Sequence, residues 1–144
     1  MNASDALALA ADRLRAHAVV IEHGIPVYCE AEEYDLEQVL AVELAKGSLH
    51  IVVAAAAARY EEGAARAGVK GDRELVVSLA YLPGMTPPQV VVLTLSCQLA
   101  AWLHGYPETG SWLKVTEEAA MPDGADVSGR QITLKITDVL RAER

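Results

Sequence analysis

The sequence predicts a single α+β domain over residues 1–144, a mainly antiparallel mixed sheet packed by two to three helices. Three observations lead there. Ile132, Leu134 and Ile136 alternate with Gln131, Thr133, Lys135 and Thr137, the period-2 pattern of a strand with one buried and one wet face. Leu49 to Ala55 is apolar on both alternating faces, as in a central strand covered on both sides. The segments follow in the order α-(β)-α-β-β-α-β-β, and two of the strand pairs have no helix between them. Such strands run antiparallel, with the helices stacked on the sheet.

Taken in order, Ser4 to His17 reads as a helix with Ser4 or Asn2 as N-cap and Leu7, Leu14 and Val19 as the larger residues of an alanine-rich surface. Val19-Val20-Ile21 is too short to assign alone; His23 to Pro26 is a turn and Val27 to Cys29 a short edge strand. Asp35 and Gln38 have capping-box spacing, and Leu36, Val39, Leu40 and Leu44 share one face of a second helix that ends at Lys46-Gly47. The Ile51-Val52-Val53 trio favours strand for Leu49 to Ala55, although the alanines that follow suit a helix equally by intrinsic propensity. Arg59 to Asp72, with Gly63, Gly68 and Gly71, is a long connection between two strands able to pair as a hairpin.

The chain is organised around Glu74 to Tyr106. Glu74 to Leu82 is a strand with Leu75, Val77, Leu79 and Tyr81 on one face, and Pro83-Gly84-Met85 turns the chain. Thr86 then caps a helix with Pro87 at its first position, which runs to His104 and stops at Gly105 and Pro107. Val92, Leu95, Leu99, Trp102 and Leu103 make one apolar side of it, and Val90, Leu93, Cys97, Ala100 and Ala101 make the other side apolar too. A helix apolar nearly all round lies either between a sheet and a second helix or against a neighbouring subunit. Trp112 to Thr116 is a strand, Met121 to Gly129 a turn-rich loop, and Arg130 to Asp138 the alternating strand.

Composition narrows the function classes. With no phenylalanine and few aromatic residues, the core is built from small aliphatic side chains around Trp102, Trp112, Tyr81 and Tyr106. No stretch reaches the roughly 18 unbroken apolar residues of a membrane span; residues 90–103 are interrupted by Thr94, Ser96 and Gln98. Asp5 and Asp12 stand where an export signal needs a basic start and an apolar run. Cys29 and Cys97 lack the number and spacing of a disulfide scaffold or zinc site, which fits a reduced cytosolic setting. A net charge of −8 and dispersed Lys and Arg argue against sequence-specific nucleic-acid binding, which needs cations to displace counterions.

Each candidate for chemistry has a plainer explanation. Glu30, Glu32, Glu33, Asp35 and Glu37 are clustered carboxylates, but they lack the spaced ligands and glycine of a calcium loop and suit a solvated helix N-terminus. His17, His23, His50 and His104 fall on separate elements without an HxH or HxxxH pair, so pairing one with Cys29 or Cys97 as nucleophile requires convergence in space. Cys97, mid-helix among apolar neighbours, reads as a small hydrophobe, and His104 as a group that complements the helix C-terminus. Gly63, Gly68 and Gly71 carry no phosphate-loop Lys-Ser/Thr. No catalytic, cofactor-binding or metal-binding residue is assigned, and no cofactor or enzymatic activity is expected.

Leu75 through Leu140 resembles the tail-terminator or tail-completion proteins of tailed bacteriophages, the lambda-like minor tail protein U group. The likeness rests on a Val-x-Leu-x-Tyr-Leu-Pro strand, a Thr-Pro-opened helix ending in Leu103-His104-Gly105, a Trp-Leu-Lys-Val strand, and a Met-Pro-Asp-Gly turn into Gln131 to Thr137. The resemblance implies a phage or prophage virion protein that forms a homo-oligomeric ring, commonly a hexamer. Such a ring caps the tail tube and joins it to the head, with the tail-tube and head-completion proteins as partners and no membrane. Its place would be the host cytoplasm during assembly and then the virion. Glu61 to Asp72 is the segment expected to order on assembly. Competing readings are a small cytosolic enzyme or ligand-binding domain using the Glu30–Asp35 and His50/His104 region, or another head–tail connector.

Overall fold

The computed structural model describes residues 2–32, 35, 37–39, 41–42, 48–60, 69–82, 91–122 and 128–140. Helix α1 (Ala3–Arg15) starts at Asn2, whose Oδ1 accepts the Asp5 backbone N–H at 2.7 Å. Its buried stripe is Ala6, Leu7, Ala10, Ala11 and Leu14, and small residues there let the helix lie close to the sheet. The helix expected to reach His17 stops two residues earlier, because the His17 Nδ1 turns back to accept the Val19 N–H at 3.2 Å. His17 thereby caps a separate helix, α2 (Ala18–Glu22), which takes in Val19 to Ile21. Gly24, at φ +58°, makes the turn into strand β1 (Val27–Cys29).

Residues 37–39 and 41–42 are helical, and Asp35 caps them by accepting the Gln38 N–H at 3.2 Å on Oδ1. Leu36, Leu40 and Leu44 of the expected apolar face, and Lys46-Gly47, lie outside the described residues.

Strands β2 (His50–Tyr60) and β3 (Val69–Tyr81) pair antiparallel, with Ile51 opposite Leu79 and Val53 opposite Val77. The alanine run is strand throughout. Ala54 and Ala55 pair with Val76 and Leu75, and this ladder outweighs the helical propensity of isolated alanines. The register shifts between Ala55 and Ala58, where Arg73 Nη1 donates to the Ala56 carbonyl at 3.1 Å. The expected connection from Arg59 to Asp72 is shorter than predicted. Arg59 pairs with Asp72 and Tyr60 with Gly71, so the polar residues at both ends belong to the hairpin and Gly71 sits in a strand. The 61–68 part lies outside the described residues.

The Pro83 turn and the Thr86-Pro87 opening also lie outside them. Helix α3 (Val92–Leu103) begins after an extended Val91 and has no side-chain cap, so the helix does not run through Val91 as expected. It ends at His104, followed by Gly105 at φ +76° and a cis Tyr106–Pro107 bond. Strand β4 (Lys114–Ala120) starts two residues later than predicted, and β5 (Ser128–Leu140) extends past both expected ends.

The sheet order is β1-β2-β3-β5-β4, parallel at β1–β2 and antiparallel elsewhere. The expected mixed, mainly antiparallel sheet is thus found, with β1 as the short edge strand. The β3–β5 ladder runs from Val69 opposite Leu140 to Tyr81 opposite Ser128 and forms the spine. Leu75, Val77 and Leu79 of β3 and Ile132, Leu134 and Ile136 of β5 face inward, under Leu7 and Leu14 of α1 and Leu95, Leu99 and Leu103 of α3. Each such side chain contributes about 1.5–3 kcal/mol by leaving water. Among the described residues, no helix is long and apolar enough to cross a membrane.

Candidate functional site

Among the described residues weighed for chemistry, the Glu30 region and His50 lie at opposite ends of β2. Glu30 follows β1, and its Oε2 accepts the Ala55 N–H at 2.7 Å, which satisfies the β2 backbone beyond the end of β1. Glu32 pairs with Arg15, whose Nη2 also donates to the Val27 carbonyl at 2.7 Å, tying α1 to β1. His50 is buried at the other end of β2, roughly 17 Å along the strand from Ala55. Its Nδ1 faces the Ser48 carbonyl at 3.2 Å. His104 Nδ1 accepts the Val115 N–H at 3.0 Å, so it positions β4 instead of complementing the α3 carbonyls as expected. Cys29 is buried, and burial pushes its thiol up, the wrong direction for a nucleophile. Among the described residues no group of three or more His, Cys, Asp or Glu could hold a metal ion.

The two ends of α3 are instead fixed by polar devices that the sequence did not reveal. At its C-terminal end the Arg13 guanidinium lies 3.4 Å from the Trp102 ring centroid and 4.2 Å from that of Tyr106. Arg13 Nε donates to the Trp102 carbonyl at 3.1 Å, and Trp102 Nε1 donates to the Arg13 carbonyl at 2.7 Å. This reciprocal pair fastens α1 to α3, with the His17 ring edge-on to the indole at 5.3 Å. Burial, with help from Arg13, holds the His17 imidazole below its ordinary value, which suits an Nδ1 that must accept a hydrogen bond.

Toward the N-terminal end, fully buried Ser96 donates to Glu118 Oε2 at 3.1 Å, and Arg130 grips the same carboxylate through Nε at 2.8 Å and Nη2 at 2.6 Å. The forked pair locks β4, β5 and α3 together. The signal for it was a serine within the buried stripe of an apolar helix, which needs a polar partner in the fold. Its partner stayed invisible because the predicted fourth strand stopped at Thr116. The hydrogen bonds from Arg130 hold the Glu118 carboxyl below the usual carboxylate range. A depressed folded value means a contribution that is complete above the unfolded glutamate value near ~4.3 and lost as pH falls through the folded one. Glu118→Gln is therefore expected to flatten the acid limb of the stability curve, measured by urea unfolding between neutral pH and pH ~3. An unchanged limb would exclude the pair as its source.

With these anchors in place, α3 buries Leu95, Ser96, Leu99 and Leu103 and turns its other apolar side outward. Leu93 is 51% exposed, Cys97 and Ala101 continue the stripe, and Val91, just before the helix, is 69% exposed, whereas Ala100, expected on the same side, packs against the core. Cys97 is thus exposed, contrary to the expectation of a buried small hydrophobe, because its side of the helix points away from the sheet. Beside α3, strand β4 ends the sheet, with one of its two edges unpaired among the described residues. An apolar helix face next to a sheet edge can bind another protein surface. No protein-family model matches the chain, and comparison with curated proteins finds none similar to it.

Proposed function

We propose that the chain is a structural subunit of a tailed bacteriophage or prophage, one that assembles into a ring capping the tail tube and joining it to the head. The observation that supports this reading best is the outward apolar side of α3. Among the described residues, this helix has one apolar side buried at Leu95, Leu99 and Leu103, while Leu93, Cys97 and Ala101, with Val91 just before the helix, are exposed and available to a neighbour. The resemblance of residues 75–140 to tail-terminator proteins supplies the rest: the ring, commonly hexameric, and the tail-tube and head-completion proteins as partners. A net charge of −8 suits a lumen through which DNA slides, since it repels the phosphate backbone.

Light scattering after size exclusion tests the proposal, on the chain alone and mixed with the tail-tube protein of the same genome. A ring-sized species is expected in at least one of the two samples. A chain that remains monomeric in both, at concentrations where the tube protein polymerises, would overturn it.

A further inference from the structure

The second face of the sheet carries a feature that the assembly reading does not use. Lys114 of β4 stands directly opposite Lys135 of β5 in the antiparallel register. Like charges in that position destabilise a sheet unless an anion lies between or beside them. Lys135 has one, the Asp72 carboxylate at 3.0 Å, whereas Lys114 forms no ion pair among the described residues. The two lysines and Asp72 line a depression of about 340 Å³, completed by Ser111, Trp112 and Thr137.

The Trp112 indole is 47% exposed and lies against Gly110. Gly110, at φ +107°, packs so closely that a Cβ there would sit 2.4 Å from Trp112 Nε1. An exposed aromatic wall beside a cation with no ion pair among the described residues has the composition of a recognition pocket: a flat apolar surface for the body of a ligand and a charge for its end.

We propose that this depression binds a carboxylate carried on an apolar or planar body, with the carboxylate between Lys114 and Lys135 and the body against Trp112. The formal charge of the lining, two lysines and one aspartate, is +1, with Glu74 opposite Lys135 just outside it, which suits a monoanion better than a more highly charged ligand. A phosphate, with a charge near −2, would face Asp72 without a second free cation among the wall residues. Whether the carboxylate belongs to a small acid or to an acidic peptide segment is a question of source; the recognising groups are the same. The site stands independently of the ring.

NMR titration of the full chain reads it directly, because the two indole N–H signals serve as site and control. Trp102 Nε1 is hydrogen-bonded to the Arg13 carbonyl on the opposite side of the sheet, while Trp112 lines the depression. Two probes, benzoate and an acetylated, amidated Leu-Glu-Leu peptide, and inorganic phosphate as a control are titrated separately into wild type and Lys114→Met. The expected result is a saturable shift of the Trp112 signal with at least one probe, a still Trp102 signal, and affinity reduced about tenfold or more in Lys114→Met. Benzoate alone shifting the signal assigns the site to small acids, and a tighter peptide assigns it to a protein segment. No shift with either probe, an equal shift in Lys114→Met, or tighter binding of inorganic phosphate than of both carboxylates would overturn the assignment. Lys114 is exposed, so the variant keeps the fold, which unchanged amide shifts of β3 verify.

Discussion

Gly129→Ala is expected to cost about 3 kcal/mol or more, through two effects that act together. Gly129 sits at φ +149°, in a region of backbone space that L side chains rarely adopt. A Cβ there would stand 1.8 Å from the Leu79 carbonyl oxygen, and that oxygen belongs to the backbone of β3, which cannot swing aside like a side chain. Relief requires β5 to separate from β3 where Gly129 opposes Ala80, at the head of the ladder that forms the spine. The same strain would disturb Arg130, the next residue, and through it the Glu118 and Ser96 contacts. Urea unfolding of wild type and variant measures the loss. A difference below about 1 kcal/mol would mean that the sheet yields at this point more easily than its register implies.

The sequence disclosed the parts of the fold that depend on local pattern. Ile132, Leu134 and Ile136 alternate because one face of β5 is buried, and Leu75, Val77 and Leu79 do the same on β3. Gly105 ends α3 where a positive φ is needed. What stayed hidden depends on partners distant in the chain. Arg59 and Asp72 looked like loop because they are polar, yet they oppose each other in a hairpin, and nothing local distinguishes a polar strand end from a turn. The end of α1 at Arg15 follows from a histidine used as a cap, a less usual choice than the serine or asparagine a sequence reader looks for. Parallel pairing of β1 with β2 was equally unreadable, since three residues carry no directional signal.

The polar fastenings of α3 illustrate the same limit. Arg13 and Trp102 are 89 positions apart, and Ser96 and Glu118 are 22 apart, so no spacing rule connects them. The sequence feature that bears on the proposed assembly is the helix itself, apolar on both sides, for which the sequence leaves burial within the chain and burial against a neighbour equally open. In the folded chain the two sides have separate fates. Leu99 is fully buried and Leu93 half exposed, although both belong to one helix and have the same side chain.

That division makes a paired experiment decisive. Leu99→Ala removes a side chain with no exposed surface, packed between sheet and α1, and is expected to cost about 2–5 kcal/mol. For a chain of this length the melting temperature should fall by roughly 5–15 °C. Leu93→Glu should leave stability within about 0.5 kcal/mol, because a half-exposed position lets the new carboxylate stay in water. Its expected effect is on assembly, since in a ring the substitution recurs at every interface and each copy must bury an unpaired charge against its neighbour. Thermal unfolding should therefore separate the pair in one direction and light scattering in the other: Leu99→Ala unstable, Leu93→Glu stable but unable to form the ring. If Leu93→Glu assembles as wild type does, the outward side of α3 is not the contact surface, and the ring reading loses the structural observation on which it rests.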